Sequence, residues 1–492
     1  MTEQPAELHP ERRKLTRIPS DRARIATLAF TGLIAAFMQT LVTPILPELP
    51  TLLHTTPADA SWVLIATLLA AAITTPISGR LGDMFGKRRI LMILIVLMIA
   101  GSIISALSDS VIPMIAGRVL QGIGLGTIAL SISILRDIIH PKKLGSAIAL
   151  VSATLGVGGA AGLPVSAVIA QNLDFHYLFW LAAALAVLAL VLVWVKIPVS
   201  TLRSGGRFDA VGALGFAIGL VGILLALSKG REWGWGSPII LILLIGGVVV
   251  LVLWGFFELR THDPLIDLRI AARRPVLLTN LASICVGFGF FVTAATLPVL
   301  LESPTTTNVG LGVSLITASL CLMPSGLVMF FLSPYAARLS AAKGPRTSLV
   351  LGLVIICIAY LLAIVLDQQV WHVILVATLV GFGVGFAYAA MPTLIMRAVP
   401  ASSTAASNGL NSVMRSLGST VAATLAGVIL SSAVTITAGA VIPTAGAFHT
   451  IFAVAAFVAA LGVVFGCFIP RHIVSTQTAS IPEIRPLEPR RG

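Results

Sequence analysis

Two arginines, Arg118 and Arg415, stand several residues inside long apolar runs, and Asp83 sits in a short glycine-rich basic stretch, GRLGDMFGKRR, from Gly79 to Arg89. A guanidinium in an apolar segment is costly unless it meets a polar cavity or a partner, so these residues suggest the binding or movement of charge. Gln121 follows Arg118 on the same helical face, and Gln39, Asn280 and Asn411 also lie within apolar runs. With the two arginines they form the expected lining of a polar cavity. Glu48 and Glu302 end two related segments, PILPE and PVLLE, where partial burial would suit them to proton exchange, and Asp137 is a third acidic candidate. None of the 19 acidic residues falls in the middle of an apolar run, and the eight histidines fall in polar stretches or at run ends. No nucleophile-base arrangement, metal-ligand spacing or nucleotide loop is visible, so neither an enzyme nor a metal or cofactor is expected. The four cysteines each stand alone in a different apolar run and read as small core residues.

The elements that must hold these residues are membrane helices. Of 492 residues, 57% are hydrophobic and 10% charged, and the mean hydropathy is +1.02. No soluble core could hide so much apolar surface, which implies a polytopic all-α membrane protein. The formal charge of +13 is spread over alternate helix ends and forms no single stripe, which argues against a nucleic-acid partner. Apolar windows predict fourteen spans, starting near residues 25, 60, 88, 111, 144, 177, 209, 237, 275, 310, 346, 370, 403 and 447. The links after even-numbered spans carry Lys87, Arg88, Arg89, then Lys142 and Lys143, then Arg203 and Arg207, and so on to Arg338, Lys343 and Arg346. By the positive-inside rule these links, and both termini, face the cytosol of a multi-pass protein in the cell membrane. The first residues are polar and basic, with no cleavable signal pattern.

The chain also repeats itself. GIGLG at Gly122 matches GFGVG at Gly381 with an offset of 259, and GRL at Gly79 matches ARL at Ala337 with an offset of 258. The expected organisation is a cytosolic arm (1–24), a six-helix half (25–200), two inserted spans (201–260), a cytosolic link (261–274), a second six-helix half (275–470) and a disordered tail (471–492). Duplicated halves around a central path are a design of alternating-access carriers.

Four segments, GRLGDMFGKRR, GRVLQGIGLG at Gly117 to Gly126, LGVGGAAGLP at Leu155 to Pro164 and DPLIDLRI at Asp263 to Ile270, carry a resemblance to the major facilitator superfamily, and within it to the fourteen-helix drug:proton antiporters. The resemblance implies a major facilitator fold and proton-coupled export of small amphipathic drugs, antibiotics or metabolites by a monomer. A proton-independent or importing carrier, or a transport-dead sensor, is the alternative. It also implies a cytosolic latch built from Gly79, Asp83, Gly86, Arg88, Arg89 and Asp137, proton coupling through Arg118, and a hinge or packing role for Gly156, Gly158, Gly159, Gly162 and Pro164. The chain departs from the family pattern at Met84, where a basic residue is usual. The span-five Gly-Pro pair is displaced to Gly162, Leu163 and Pro164, and Met38 takes the place of the aspartate usual in span one. Without that anion, neutral or anionic lipophilic compounds are expected to be preferred over permanent cations. The second-half partner of the basic turn, ARLSAAKGPR, has lost the aspartate, so the latch should be one-sided.

Overall fold

The computed structural model describes residues 20–470, except 47, 200–204, 306–308, 367 and 438–439. Most of the expected N-terminal arm, all of the expected tail, and Arg203 lie outside the described residues. Among the described residues, fourteen helices are long and apolar enough to cross a membrane: Asp21–Thr40, Pro57–Phe85, Lys87–Ala106, Val111–Ile138, Pro141–Asn172, His176–Lys196, Ala210–Trp233, Pro238–Arg260, Arg274–Glu302, Leu315–Lys343, Pro345–Ala363, Val370–Ala398, Ala401–Ser432 and Ala445–Phe468, here spans one to fourteen. The links after even-numbered spans share one end of the bundle, called here the basic end.

Burial follows the duplication. One apolar core, including Leu28, Leu91, Leu130 and Phe179, comes almost wholly from spans one to six. A second, including Val286, Leu353, Val384 and Phe452, comes from spans nine to fourteen. The repeated glycines do the same job in each: a side chain at Gly122 would run into the Thr67 carbonyl of span two, and one at Gly381 into the Ser325 carbonyl of span ten. Such contacts bring helix backbones close where no hydrophobic drive separates them from lipid.

Spans seven and eight stand outside both cores. Span seven packs Ala213, Phe216, Leu220 and Leu224 against Ala72 of span two and Val413 of span thirteen, with Leu265 and Ile266 of the following link beneath. Span eight leaves Ile242, Leu253 and Phe256 more than half exposed, a surface only hydrocarbon satisfies. In the link, Asp267 caps the short helix Leu268–Ala271 by accepting from the Arg269 and Ile270 N–H groups.

Two features differ from an all-helical reading with continuous spans. A two-stranded antiparallel hairpin, Val434–Thr437 with Ala440–Pro443, joins spans thirteen and fourteen. Span four is interrupted at Leu125 and Gly126, between helices Val111–Gly124 and Thr127–Ile138. There the GIGLG glycines favour tight bonds three residues apart, such as Leu125 N–H to the Gly122 carbonyl at 3.0 Å.

Candidate functional site

At the basic end the two halves are joined by hydrogen bonds. Gly86, between spans two and three, has a φ of 104°, a conformation that strains any L side chain. The turn sends Lys87 inward, with its ammonium 2.9 Å from both Asp137 carboxylate oxygens and 3.7 Å from Asp83. This corrects the expectation of Arg88 and Arg89 as the cations of the latch. Arg88 instead donates to the Trp194 carbonyl at 2.7 Å, satisfying the last turn of span six, while Arg89 is exposed. The duplicated turn keeps this geometry without the acid: Gly344 has a φ of 87°, and Arg346 caps span fourteen through the Cys467 carbonyl.

Asp83 reaches across to the other half. Its Oδ2 accepts from the backbone N–H groups of Ala405 and Ala406 at 3.1 and 3.2 Å. These are first-turn donors with no partner inside their own helix, and an anion is favoured at that positive end. Arg136 of span four makes the reverse contact, donating to the Val399 and Pro400 carbonyls at 3.2 and 3.4 Å and to the Thr404 hydroxyl. Small residues permit the approach, since a side chain at Gly79 would meet the Ala405 carbonyl oxygen at 2.6 Å and one at Gly409 the Pro76 Cα at 2.9 Å. Lys87 and Arg136 were not expected from sequence. Only their neighbours, Arg88 and Asp137, carried the signal.

Beyond this seal the halves part around a cavity of about 340 Å³. Its walls include the stretch from Leu64 to Thr75 of span two, Phe290 and Phe291 of span nine, and the stretch from Ser412 to Gly427 of span thirteen. Gln39 and Arg415 are among the residues that line it. The Arg415 guanidinium lies 4.8 Å from the centre of the Tyr388 ring and 3.4 Å from the Ser412 hydroxyl. Span seven supplies Leu224, Leu227, Ser228 and Arg231, residues that sequence reasoning left outside the site. Lys229 fastens that span. It is buried and donates to the Ala58 carbonyl, the Ser61 hydroxyl and Glu232 at 3.1, 2.7 and 2.6 Å, over the Trp62 ring.

Four expected lining residues are elsewhere. Arg118 is fully buried in the first half, donating to the Met38 carbonyl at 3.0 Å, to Gln121 at 2.6 Å and to the Val63 carbonyl at 3.3 Å. Span one ends at Thr40, so the Met38 carbonyl belongs to a last turn lacking helical partners, and the cation serves that negative end. Gln121 is fixed from the other side, donating to Ser102 at 2.8 Å. Asn280 accepts from Asn411 at 2.9 Å, joining spans nine and thirteen in the second core, though Asn411 also borders a small void of about 10 Å³ beneath Arg415. Glu48 and Glu302 have exposed side chains and stand outside the cavity lining. Met38 itself is buried in the first core. In span five, side chains at Gly158 and Gly162 would strike span one, and one at Gly156 would strike Met329 of span ten, whereas one at Gly159 would make only an ordinary contact with Thr40 at 3.7 Å, and Pro164 lies within the helix.

The Major Facilitator Superfamily model matches residues 28–423 and again 279–489. The chain belongs to the Major Facilitator Superfamily. Among relatives in the superfamily, the lincomycin resistance protein LmrB of Listeria monocytogenes is 26% identical over 82% of this chain and 85% of its own. The multidrug resistance protein Stp of Mycobacterium tuberculosis is 25% identical over 84% of this chain and 77% of its own. The human organic anion transporter MFSD10 superposes with a TM-score of 0.63 over 91% of this chain and 100% of its own, at 17% identity. The proton:xylose symporter XylE gives 0.61 over 91% and 96%, at 14% identity. The major facilitator fold is therefore shown by sequence and structure alike.

Proposed function

We propose that this protein exports small amphipathic compounds, of the antibiotic or drug class, in exchange for protons, by rocking spans one to six against spans nine to fourteen. The observation that carries this reading is a cavity between the two cores, tied shut at the basic end by Asp83 and Arg136 and lined further out by both halves. The positive-inside rule places the basic end in the cytosol, so this arrangement is the state open away from the cytosol. Relatives named for lincomycin and multidrug resistance support export as the direction.

Proton coupling on this reading belongs to the seal. Asp83 and Asp137 are buried around Lys87, and a proton arriving on Asp83 removes the charge that holds the Ala405 and Ala406 N–H groups. The cytosolic end then opens. Arg118 takes part by keeping the end of span one fixed to spans two and four.

The test is transport in proteoliposomes of a panel of neutral, anionic and cationic amphipathic compounds, lincomycin included, under an imposed pH gradient. Uptake of a panel member that rises with the gradient and collapses with a protonophore is the expected result. Transport indifferent to the gradient would remove the antiport, and binding without any transport would remove the carrier.

A further inference from the structure

The charge lining the cavity is of one sign. Among the described residues around it, Arg231 and Arg415 are the charged side chains, and no aspartate, glutamate, lysine or histidine faces it. Arg415 touches a hydroxyl and an aromatic face, and Arg231 touches the Gly427 carbonyl at 3.4 Å. Each guanidinium therefore keeps most of its donors for a ligand. A desolvated guanidinium is planar and forked, matched to a carboxylate or sulfonate. Around the two cations the walls are apolar and aromatic, with Phe290, Phe291, Tyr388 and Trp235 available to an aryl body.

The two cations sit at different depths. Arg415 is near the middle of the Ala401–Ser432 span, while the Arg231 contact, Gly427, is on the same helix about 18 Å further from the basic end at 1.5 Å per residue. Arg231 is placed there by the inserted span seven, which Lys229 fastens to span two.

We propose that the cavity selects amphipathic monoanions, with Arg415 as the mid-depth binding cation and Arg231 as a second station at the mouth. This rests on the same cavity being the transport path. The two inserted spans are then part of the selectivity apparatus.

The experiment compares one scaffold in three charge forms, a 4-alkylbenzoate, its primary amide and the matching benzyltrimethylammonium. Binding to the purified full chain and transport in proteoliposomes are measured separately. The benzoate is expected to bind at least tenfold more tightly than the amide, and the quaternary ammonium more weakly than either. Arg415→Gln should remove the benzoate advantage while leaving amide binding in place, and Arg415→Lys should restore part of it. Those two readouts separate lost recognition from misfolding. Arg231→Gln should slow benzoate transport several-fold with a smaller change in binding. Equal binding of all three forms, or tightest binding of the quaternary ammonium, overturns anion selection and leaves export untouched. Benzoate that binds through Arg415 but is never moved upholds the anion site and overturns the export reading.

Discussion

The arginine of span four and the arginine of span thirteen read alike in sequence yet do different work. Arg118 satisfies the carbonyls of Met38 and Val63 and holds Gln121, whereas Arg415 faces the cavity. Arg118→Ala should therefore leave buried acceptors orphaned, at about 1–3 kcal/mol each. A marked drop in thermal midpoint is the expected readout, and Arg415→Ala should lower it far less. Asp83→Asn keeps an acceptor oxygen but loses its charge, and a charge-assisted bond is roughly twice as strong as a neutral one. The basic end should then open more often. Reactivity of a cysteine placed at Ser412, probed from the cytosolic side, should rise several-fold, and unchanged reactivity would count against Asp83 as the tie.

At the scale of elements, the duplicated turns make a paired experiment. Gly86 and Gly344 both hold positive φ, and alanine at either should cost about 1–2 kcal/mol, seen as similar losses of thermal stability. Their functional effects should differ, because only the first turn carries an acid that reaches the opposite half. Lys229→Met should release span seven from span two, read as a broadened distance distribution between spin labels on the two spans.

The elements themselves were legible because twenty-residue apolar runs separated by basic links leave little freedom, and each predicted start lies within a few residues of the observed one. The choice among Lys87, Arg88 and Arg89 was not legible. Three adjacent cations differ only in direction, and that direction is set by the backbone at Gly86. Nor could sequence distinguish an arginine facing a cavity from one capping a helix end. The hairpin after span thirteen left only a short β-branched signal, VTIT.

For the whole molecule, the two cores are units that meet through few strong bonds, and those bonds cluster at one end. Because Asp83 has no counterpart in ARLSAAKGPR, which lies at the same basic end, that end is tied by one acid-bearing turn and not by two. The same feature sets a clock. If the carboxylate tie contributes about 2 kcal/mol and is already broken at the barrier, it lengthens the dwell in this state by roughly thirtyfold, since about 1.4 kcal/mol is a factor of ten in rate. Single-molecule fluorescence on Asp83→Ala, which removes the acceptor altogether, should show closed-end dwell times shortened by about that factor, with open-end dwell times nearly unchanged. One side chain would then govern the waiting time of a cycle, leaving the other half of the cycle to be timed by substrate.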